Sequence, residues 1–574
     1  MSDAPFPAGP LARRLPNLMD LVAGACIFGA IAYVASVARG TFGPLSAPEA
    51  TTIHLDPAYL PGYAVRTTLR MFAALACSLL FTLTYATWAA KSRRAGLILI
   101  PVLDVLQSVP ILGFLTFTVV FFMSLFPGRV LGAELACIFA VFTSQAWNMA
   151  FSLYQALKTV PGDLDEAARS LRLSAWQRFW RLEVPFAMPG LVWNTMMSMS
   201  GGWFFVVASE AITVGDTTFK LPGIGSYVAL ALDEGNLAAI GWAILAMLVV
   251  ILLYDQLLFR PLVAWSSKFR FETTAAAEAE DPWMLKLLRR TRVLRRAGDA
   301  LGEALGWAGG RQLRGPARAP ALPRLPGRAG DAVFYAALVA AAGFGLWEAW
   351  GFVAGLLSLA DVAEVFRLGF YTLIRVVVLM ALATLVWVPI GVQLGLRPAL
   401  ARRAQPIAQF LAAFPANLFY PPFVVGIVAF HLNPDIWLTP LMILGTQWYI
   451  LFNVVAGAAA YPGDLQEAAR NFRVGGWLWW RRVVLPGVFP YYVTGAITAS
   501  GGSWNAAIVA EVASWRQTKL TAHGLGSYIA RATDAGDTPR IVLGVVVMAL
   551  FVIAFNRLLW RPLYAYANRR LTFG

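Results

Sequence analysis

Apolar stretches as long as a bilayer is thick recur from one end of this chain to the other, and they decide what it can fold into. About 20 apolar residues in a helix cross a ~30 Å hydrocarbon core. Six such stretches lie in the first half, at about 20–38, 65–90, 97–125, 131–157, 185–209 and 238–260. Six more follow, at about 332–355, 365–395, 406–430, 436–460, 486–510 and 539–560. Hydrophobic residues make up 59% of the 574 and charged ones only 13%, roughly half the ~25% of a soluble domain. A soluble fold could not hide that much apolar side chain. Three cysteines, Cys26, Cys77 and Cys137, sit inside apolar stretches and make no disulfide framework. The expectation is an all-α integral membrane protein of about twelve transmembrane helices.

A formal charge of +15 raises the question of nucleic acid, and the placement of the charges answers it. Thirteen Lys or Arg against six acids lie between Ser266 and Gly330, and most of the rest flank apolar stretches. No basic face on a soluble domain is visible, so no nucleic-acid partner is expected. Lys91, Arg93, Arg94, Arg260, Arg397, Arg402, Arg403, Arg557, Arg561, Arg569 and Arg570 share one side if the N-terminus is inside and twelve spans follow. Both termini are then cytoplasmic. Arg516, Lys519, Arg531 and Arg540 fall on the other side, partly offset by Asp534 and Asp537. The first stretch reads as a retained anchor rather than a cleaved signal, since no small-residue cleavage site follows it.

The chain repeats itself. Pro161-Gly162-Asp163-Leu164 returns as Pro462-Gly463-Asp464-Leu465, a shift of 301. The same shift pairs Glu166 with Glu467, Pro185 with Pro486, Trp203 with Trp504, Glu210 with Glu511, and Gly225-Ser226-Tyr227 with Gly526-Ser527-Tyr528. Each copy holds an even number of spans, so both face the same way and form a parallel repeat about an axis along the membrane normal. The predicted organisation is a cytoplasmic tail at 1–19, a first transmembrane domain at 20–265, a linker at 266–330 and a second domain at 331–574. The linker is basic and ends in Pro316, Pro320, Pro323 and Pro326. It reads either as a cytoplasmic tether or as a basic helix lying on anionic headgroups.

A longer cytoplasmic loop lies between the fourth and fifth spans of each copy, PGDLDEAARSLRLSAWQRFWRLEVP and PGDLQEAARNFRVGGWLWWRRVVLP. Asp163 or Asp464 is placed to cap a short helix, with Glu166 or Glu467 three residues on. The paired alanines give a narrow face, and Trp176, Phe179 and Trp180, like Trp477, Trp479 and Trp480, suit the membrane interface. These loops resemble the Glu-Ala-Ala loops of permease subunits of binding-protein-dependent ATP-binding-cassette importers. The family pattern has a glycine three residues after Glu-Ala-Ala, where this chain has Arg172 and Arg473, with Ser174-Ala175 and Gly475-Gly476 available for the turn a little later. Trp203, Glu210 and Gly223-Ile224-Gly225, repeated as Trp504, Glu511 and Gly524-Leu525-Gly526, resemble the nitrate, sulfonate, taurine and bicarbonate branch. So does Thr372-Leu373-Ile374-Arg375, whose first-half counterpart, Thr68-Leu69-Arg70, has its Arg one residue early.

The resemblance implies a type I importer permease with two ATP-binding-cassette ATPases docked at Asp163, Glu166, Ala167, Ala168 and Arg172, and at Asp464, Glu467, Ala468, Ala469 and Arg473. It implies a periplasmic binding protein outside, a bacterial inner membrane location, and a small solute, an anion such as nitrate, a sulfonate or bicarbonate. ATP and magnesium would sit on the partner ATPase. No phosphate-binding loop occurs in the chain, and His54, His431 and His523 have no metal-ligand spacing, so no catalytic or metal site is expected on it. The alternative is a secondary active transporter of two six-helix repeats, which would have no use for two docking loops.

Polar residues on apolar spans are candidates for lining the pathway: Asp104, Gln107, Gln145, Asn148, Asn194 and Ser198, with Gln447, Asn453, Thr494, Thr498 and Asn505 as second-half counterparts. Gly201-Gly202 and Gly501-Gly502 read either as lining or as close helix packing. Glu210 and Glu511 lie near the outer ends of spans, with Arg70 and Arg375 in the same half of the bilayer. The pairs Glu210–Arg70 and Glu511–Arg375 are expected either as gates or as structural ion pairs, because intramembrane carboxylates are costly.

Overall fold

The computed structural model describes residues 52–269 and 357–570, except 110, 215–216, 460–462 and 516–517, with isolated positions elsewhere. The tail 1–19, all of the expected span 20–38 but Gly29, and more than half of the expected span 332–355 lie outside the described residues. The first half runs α1 (Pro57–Lys91), α2 (Arg93–Ser108), α3 (Ile111–Leu125), α4 (Val130–Lys158), α5 (Gly162–Ser170), α6 (Val184–Ser209), β1 (Ala211–Val214), β2 (Thr217–Lys220), α7 (Ile224–Glu234) and α8 (Leu237–Ser266). The second runs α9 (Leu359–Gly395), α10 (Pro398–Ala413), α11 (Tyr420–Ala429), α12 (Trp448–Ala459), α13 (Gly463–Asn471), α14 (Leu485–Ala510), β3 (Val512–Trp515), β4 (Thr518–Thr521), α15 (Leu525–Asp534) and α16 (Thr538–Ala567).

From α5 onward the two halves coincide at the shift of 301, down to the four-residue hairpins β1–β2 and β3–β4. Before that the shift is 305: Arg93–Ser108 becomes Pro398–Ala413. The difference falls ahead of α4, where the second copy is shorter. Five-residue π segments, Phe179–Glu183 and Trp480–Val484, lead into α6 and α14 at equivalent positions.

Among the described residues six helices are long and apolar enough to cross a membrane, or seven if one bent pair counts as a span. Two of the expected single spans are broken, and proline is the reason. The stretch 97–125 divides into α2 and α3 because Val109, before Pro110, is extended (φ −77°, ψ 126°). The residue before proline is pushed out of the helical region by the ring. The stretch 406–430 breaks at the equivalent Phe414-Pro415, with Phe414 at φ −70°, ψ 129° and a bend of 85°. The expected span 436–460 is also corrected. It begins as the short helices Pro434–Trp437 and Thr439–Met442, and only α12 continues it. Pro440 and Gly445 interrupt what in the first half is the unbroken 29-residue α4.

The breaks have a structural use. Ile111, Leu115 and Val119 of α3 pack in the core of the second half, while Ala413, Phe414 and Leu418 pack in the core of the first. The exchange is reciprocal, as expected of a pseudo-two-fold interface. Ile111 N donates to Asn505 Oδ1 at 2.7 Å, and Asn417 Nδ2 donates to the carbonyl of Phe204, the position equivalent to 505, at 3.3 Å.

Close backbone approach fixes α7 on α6 and α15 on α14. A Cβ on Gly225 would lie 2.1 Å from the Val207 carbonyl oxygen, and one on Gly526 would lie 2.3 Å from that of Ala507. Neither neighbour can yield, because both are helix backbone. Gly225→Ala and Gly526→Ala are each expected to cost about 1–3 kcal/mol or more by overpacking. Gly241→Ala, in open space, is expected to be neutral or stabilising. Thermal melts of the detergent-purified variants check this, and equal melting of all three would refute the packing argument.

Candidate functional site

At one end of the molecule Glu210, closing α6, is fully buried. Its Oε1 accepts from Thr67 Oγ1 and from Arg70 Nη1, both at 2.6 Å, and its Oε2 from the Gly225 N–H at 2.6 Å. Arg70 also holds Glu134 with two bonds, Nε to Oε2 at 2.5 Å and Nη2 to Oε1 at 2.7 Å. One buried guanidinium thus joins α1, α4 and α6. Gly223 leaves the room for this, since a Cβ there would lie 2.4 Å from the Glu210 carboxyl group.

The second half repeats the arrangement on a more open floor. Glu511 Oε1 accepts from Thr372 Oγ1 at 2.8 Å and Arg375 Nη1 at 3.0 Å, and its Oε2 accepts from the Ser527 N–H at 3.1 Å. Arg375 Nη2 reaches Asp435 Oδ1 at 2.9 Å, and Asp435 also receives the His523 N–H at 2.6 Å. Burial works to raise the Asp435 carboxyl, but the His523 N–H and imidazole, with Arg375, hold it below its ordinary range. That tie is therefore present above the ordinary carboxylate range and is lost as pH falls through the lowered value.

The structure brings together Arg70 with Glu210 and Arg375 with Glu511. It adds two acids that sequence reasoning missed, Glu134 and Asp435. Their signal was available: they are equivalent at the 301 shift, each an acid at the start of an apolar stretch. The one-residue offset of Arg70 is corrected. Thr67, not Thr68, is the counterpart of Thr372, and each threonine bonds its glutamate and accepts the N–H of Ile224 or Leu525, so Thr-x-x-Arg is spaced alike in both halves.

Between the halves lies a cavity of about 140 Å³. Gln107, Asn148, Thr498 and Asn505 line it, whereas Gln145, Asn194, Ser198, Gln447, Asn453 and Thr494 do not. Five of the six are engaged elsewhere: Gln145 Nε2 meets Met71 Sδ at 3.1 Å, Asn194 bonds Ser152, Gln447 accepts from Trp387 Nε1, Asn453 bonds the Tyr449 carbonyl and Thr494 that of Pro490, while the buried Ser198 hydroxyl has no partner among the described residues. The Asp104 side chain lies outside what is described. At the 301 shift Gln145 corresponds to Thr446 and Asn148 to Tyr449, and these line the cavity together with Trp147, Phe204, Phe205 and Phe414. Gly201 opens onto the same space beside Tyr449 Oη. No Lys, Arg, His, Asp or Glu lines the cavity among the described residues.

The short helices α5 and α13 stand at the opposite end. Asp163 does not cap α5; Pro161 is the N-cap, and Asp163 and Asp165 sit in the first turn, where they favour the helix dipole. The capping box falls later, between Ser174 and Gln177. Glu166, Ala167, Glu467 and Arg473 are solvent-facing, while Ala168 and Ala469 are buried against the body. Both helices end at the arginines themselves, before Ser174-Ala175 and Gly475-Gly476, although Gly476 also turns left-handed, at φ +57°. Arg172 has φ +52° and Arg473 φ +51°, the left-handed conformation that closes a helix, at a cost of roughly 1–2 kcal/mol for a residue with a Cβ. The Leu173 and Val474 N–H groups return to the Ala168 and Ala469 carbonyls at 3.1 and 2.9 Å. Beneath α5 an ionic chain runs from Arg169 to Asp165 (2.6 Å), Asp165 to Arg178 (3.1 Å), and Glu183 to Lys91 at the end of α1. Gln466, Trp479 and Val484 stand in place of Asp165, Arg178 and Glu183, so the second half cannot form that chain.

The buried triads make a quantitative expectation. Arg70→Met leaves two buried carboxylates without their cation, and breaking such a pair costs about 3–5 kcal/mol. Arg375→Met is expected to cost less, because Arg375 and Asp435 are partly exposed. Thermal unfolding of the two variants in detergent measures the difference, and an equal or smaller loss for Arg70→Met would refute it.

Comparison with known proteins matches this chain twice, over residues 79–260 and 387–572, to the family described as the binding-protein-dependent transport system inner membrane component. It is 29% identical over 186 residues to the bicarbonate transport system permease protein CmpB of Synechococcus elongatus, covering 32% of this chain and 64% of that one. It is 26% identical over 185 residues to the nitrate import permease protein NrtB of Leptolyngbya laminosa, covering 32% and 62%. It is 30% identical over 183 residues to the glycine betaine/proline betaine transport system permease protein ProW of Escherichia coli, covering 32% and 48%. The chain thus spans less than two thirds of the length of each of these relatives. The two family matches cover more than half of the sequence and fall on the two copies of the fold, and the chain belongs to the family of inner membrane components of binding-protein-dependent transport systems.

Proposed function

We propose that this chain is both permease halves of an ATP-driven importer fused in one polypeptide, with domains at 20–265 and 331–574 joined by the cytoplasmic linker 266–330. Two ATPase subunits dock on α5 and α13, one per half, and a periplasmic binding protein delivers solute at the end holding Glu210 and Glu511. Both termini are cytoplasmic, and ATP is hydrolysed on the partners and not on this chain. The observation that carries the reading is the pair of nine-residue helices at equivalent positions, each exposing the glutamate of its Glu-Ala-Ala and burying the second alanine against the body. A secondary carrier has no role for them.

The cavity supports a small solute that meets both halves at once. Relatives named for bicarbonate, nitrate and glycine betaine span anions and a zwitterion. Our reading remains a small anion of the nitrate, sulfonate or bicarbonate kind, held by the neutral donors of Gln107, Asn148, Thr498 and Asn505 and selected by the binding protein. Such a lining transfers an anion without trapping it, since a buried cation would hold it far more tightly. Glu210 and Glu511 belong to the frame that positions the helices: their oxygens are already occupied by hydroxyl, guanidinium and backbone N–H.

The test is the double variant Glu166→Ala with Glu467→Ala in the reconstituted complex. Transport per ATP hydrolysed is expected to fall roughly tenfold or more, with insertion and melting of the chain unchanged. Wild-type coupling in that variant would overturn the assignment of α5 and α13.

A further inference from the structure

We propose that Leu171-Arg172 and Phe472-Arg473 are two docking knobs, and that the ATPase surface receiving each is an apolar pocket with an acidic rim. The inference rests on the reading of α5 and α13 as ATPase-docking helices and concerns what holds them there. Three observations carry it.

The first is the backbone. Arg172 and Arg473 are held at φ +52° and +51° at equivalent positions. Glycine would take that conformation freely, and asparagine nearly so. Strain of this kind clusters at functional sites, and of the three non-glycine residues described with positive φ, Arg172, Arg473 and His431, two fall at equivalent positions of these loops. The second is exposure. Leu171 is 74% exposed and Phe472 82%, at the tips of helices that otherwise bury their apolar side through Ala168 and Ala469. Two large apolar side chains exposed at equivalent positions, each at the end of a short polar helix, are a surface that a partner can cover. The third is charge. Arg169 is paired with Asp165, but the guanidinium groups of Arg172 and Arg473 meet no carboxylate among the described residues. Each of these exposed arginines follows the exposed Leu171 or Phe472 directly in the chain.

Together these place, at the end of each docking helix, an exposed apolar residue followed in the chain by an arginine with no carboxylate partner among the described residues. Carboxylates around an apolar pocket complement that pair, and a guanidinium takes a carboxylate bidentately where an ammonium does not. Leucine on one knob and phenylalanine on the other also make the two pockets unequal in size, so the two sites need not grip alike.

The experiment uses the full chain in detergent, with the ATPase that copurifies with it as the probe. In Arg172→Gly with Arg473→Gly the strain is removed, so thermal stability is expected to hold or rise. Affinity for the ATPase is expected to fall by roughly tenfold or more. Arg172→Lys with Arg473→Lys, keeping charge but not the planar fork, is expected to fall in between. A merely structural arginine would give the opposite pattern, with binding unchanged or improved as stability rises, and that result overturns the proposal. Leu171→Asp with Phe472→Asp tests the apolar half, and retained binding there overturns the pocket. If no ATPase copurifies with the wild-type chain, the docking reading itself fails. If one does and the glycine variant binds it as tightly, only the knobs fail.

Discussion

Two carboxylates that cannot reach water, Glu210 and Glu511, set the terms for the rest of the fold. In hydrocarbon a charged or polar group must be satisfied from within the protein, and each glutamate draws its donors from a different element. A threonine and an arginine come from the first long helix of the half, and a backbone N–H comes from the short helix after the hairpin. Those donors converge only if the short helix lies almost on the backbone of α6 or α14, and this is what the glycines allow. Gly223 and Gly524 leave space for the carboxyl group, and Gly225 and Gly526 for the helix backbone. Gly223 and Gly524 are extended, at φ −179° and −168°, so it is space and not conformation that demands glycine there.

A second constraint acts at the seam. Two X-Pro steps break the third span of each copy, and the freed segments cross to pack in the opposite core. The halves are therefore interlocked and not merely adjacent, which suits two domains that share one chain. The cavity lies on this seam, and its walls are unlike: Phe204 faces the space where Asn505 stands in the other half, and Asn148 where Tyr449 stands. A fused pair can diverge in this way, because each half meets only its own partner copy.

Much of this was legible in the residues. The repeat, the helical class, the exposed Glu-Ala-Ala helices and the Arg70–Glu210 and Arg375–Glu511 partners all follow from spacing and from the cost of intramembrane charge. What was not legible depended on geometry that periodicity does not report. Pro110 and Pro415 sit inside apolar runs long enough to pass as spans, and hydropathy does not register a bend. Asn194 and Thr494 are polar on apolar helices and bond their own helix carbonyls, but Thr498 and Asn505 do the same and still line the cavity, so polarity on an apolar span does not by itself tell which face a residue presents. The change of shift from 305 to 301 hid the equivalence of Thr67 with Thr372. Arg172 and Arg473 looked like departures from a glycine pattern, whereas they adopt the very conformation for which glycine is suited.

The two ends of α6 and α14 are built to different stiffness, and the difference suits a lever. Each helix is 26 residues, or ~39 Å at 1.5 Å per residue. Its C-terminal end is tied through a buried carboxylate to three other elements. Its N-terminal end follows a five-residue π segment, a register defect frequent at functional sites. That segment joins the short helix α5 or α13 to the long one. Beside it the first half sets the Asp165–Arg178 and Glu183–Lys91 ion pairs, and the second half the packing of Trp479 on Trp480. Each long helix thus has one end fixed by a buried ionic network and one end that follows a break in register, and the side chains lining the cavity lie between the two.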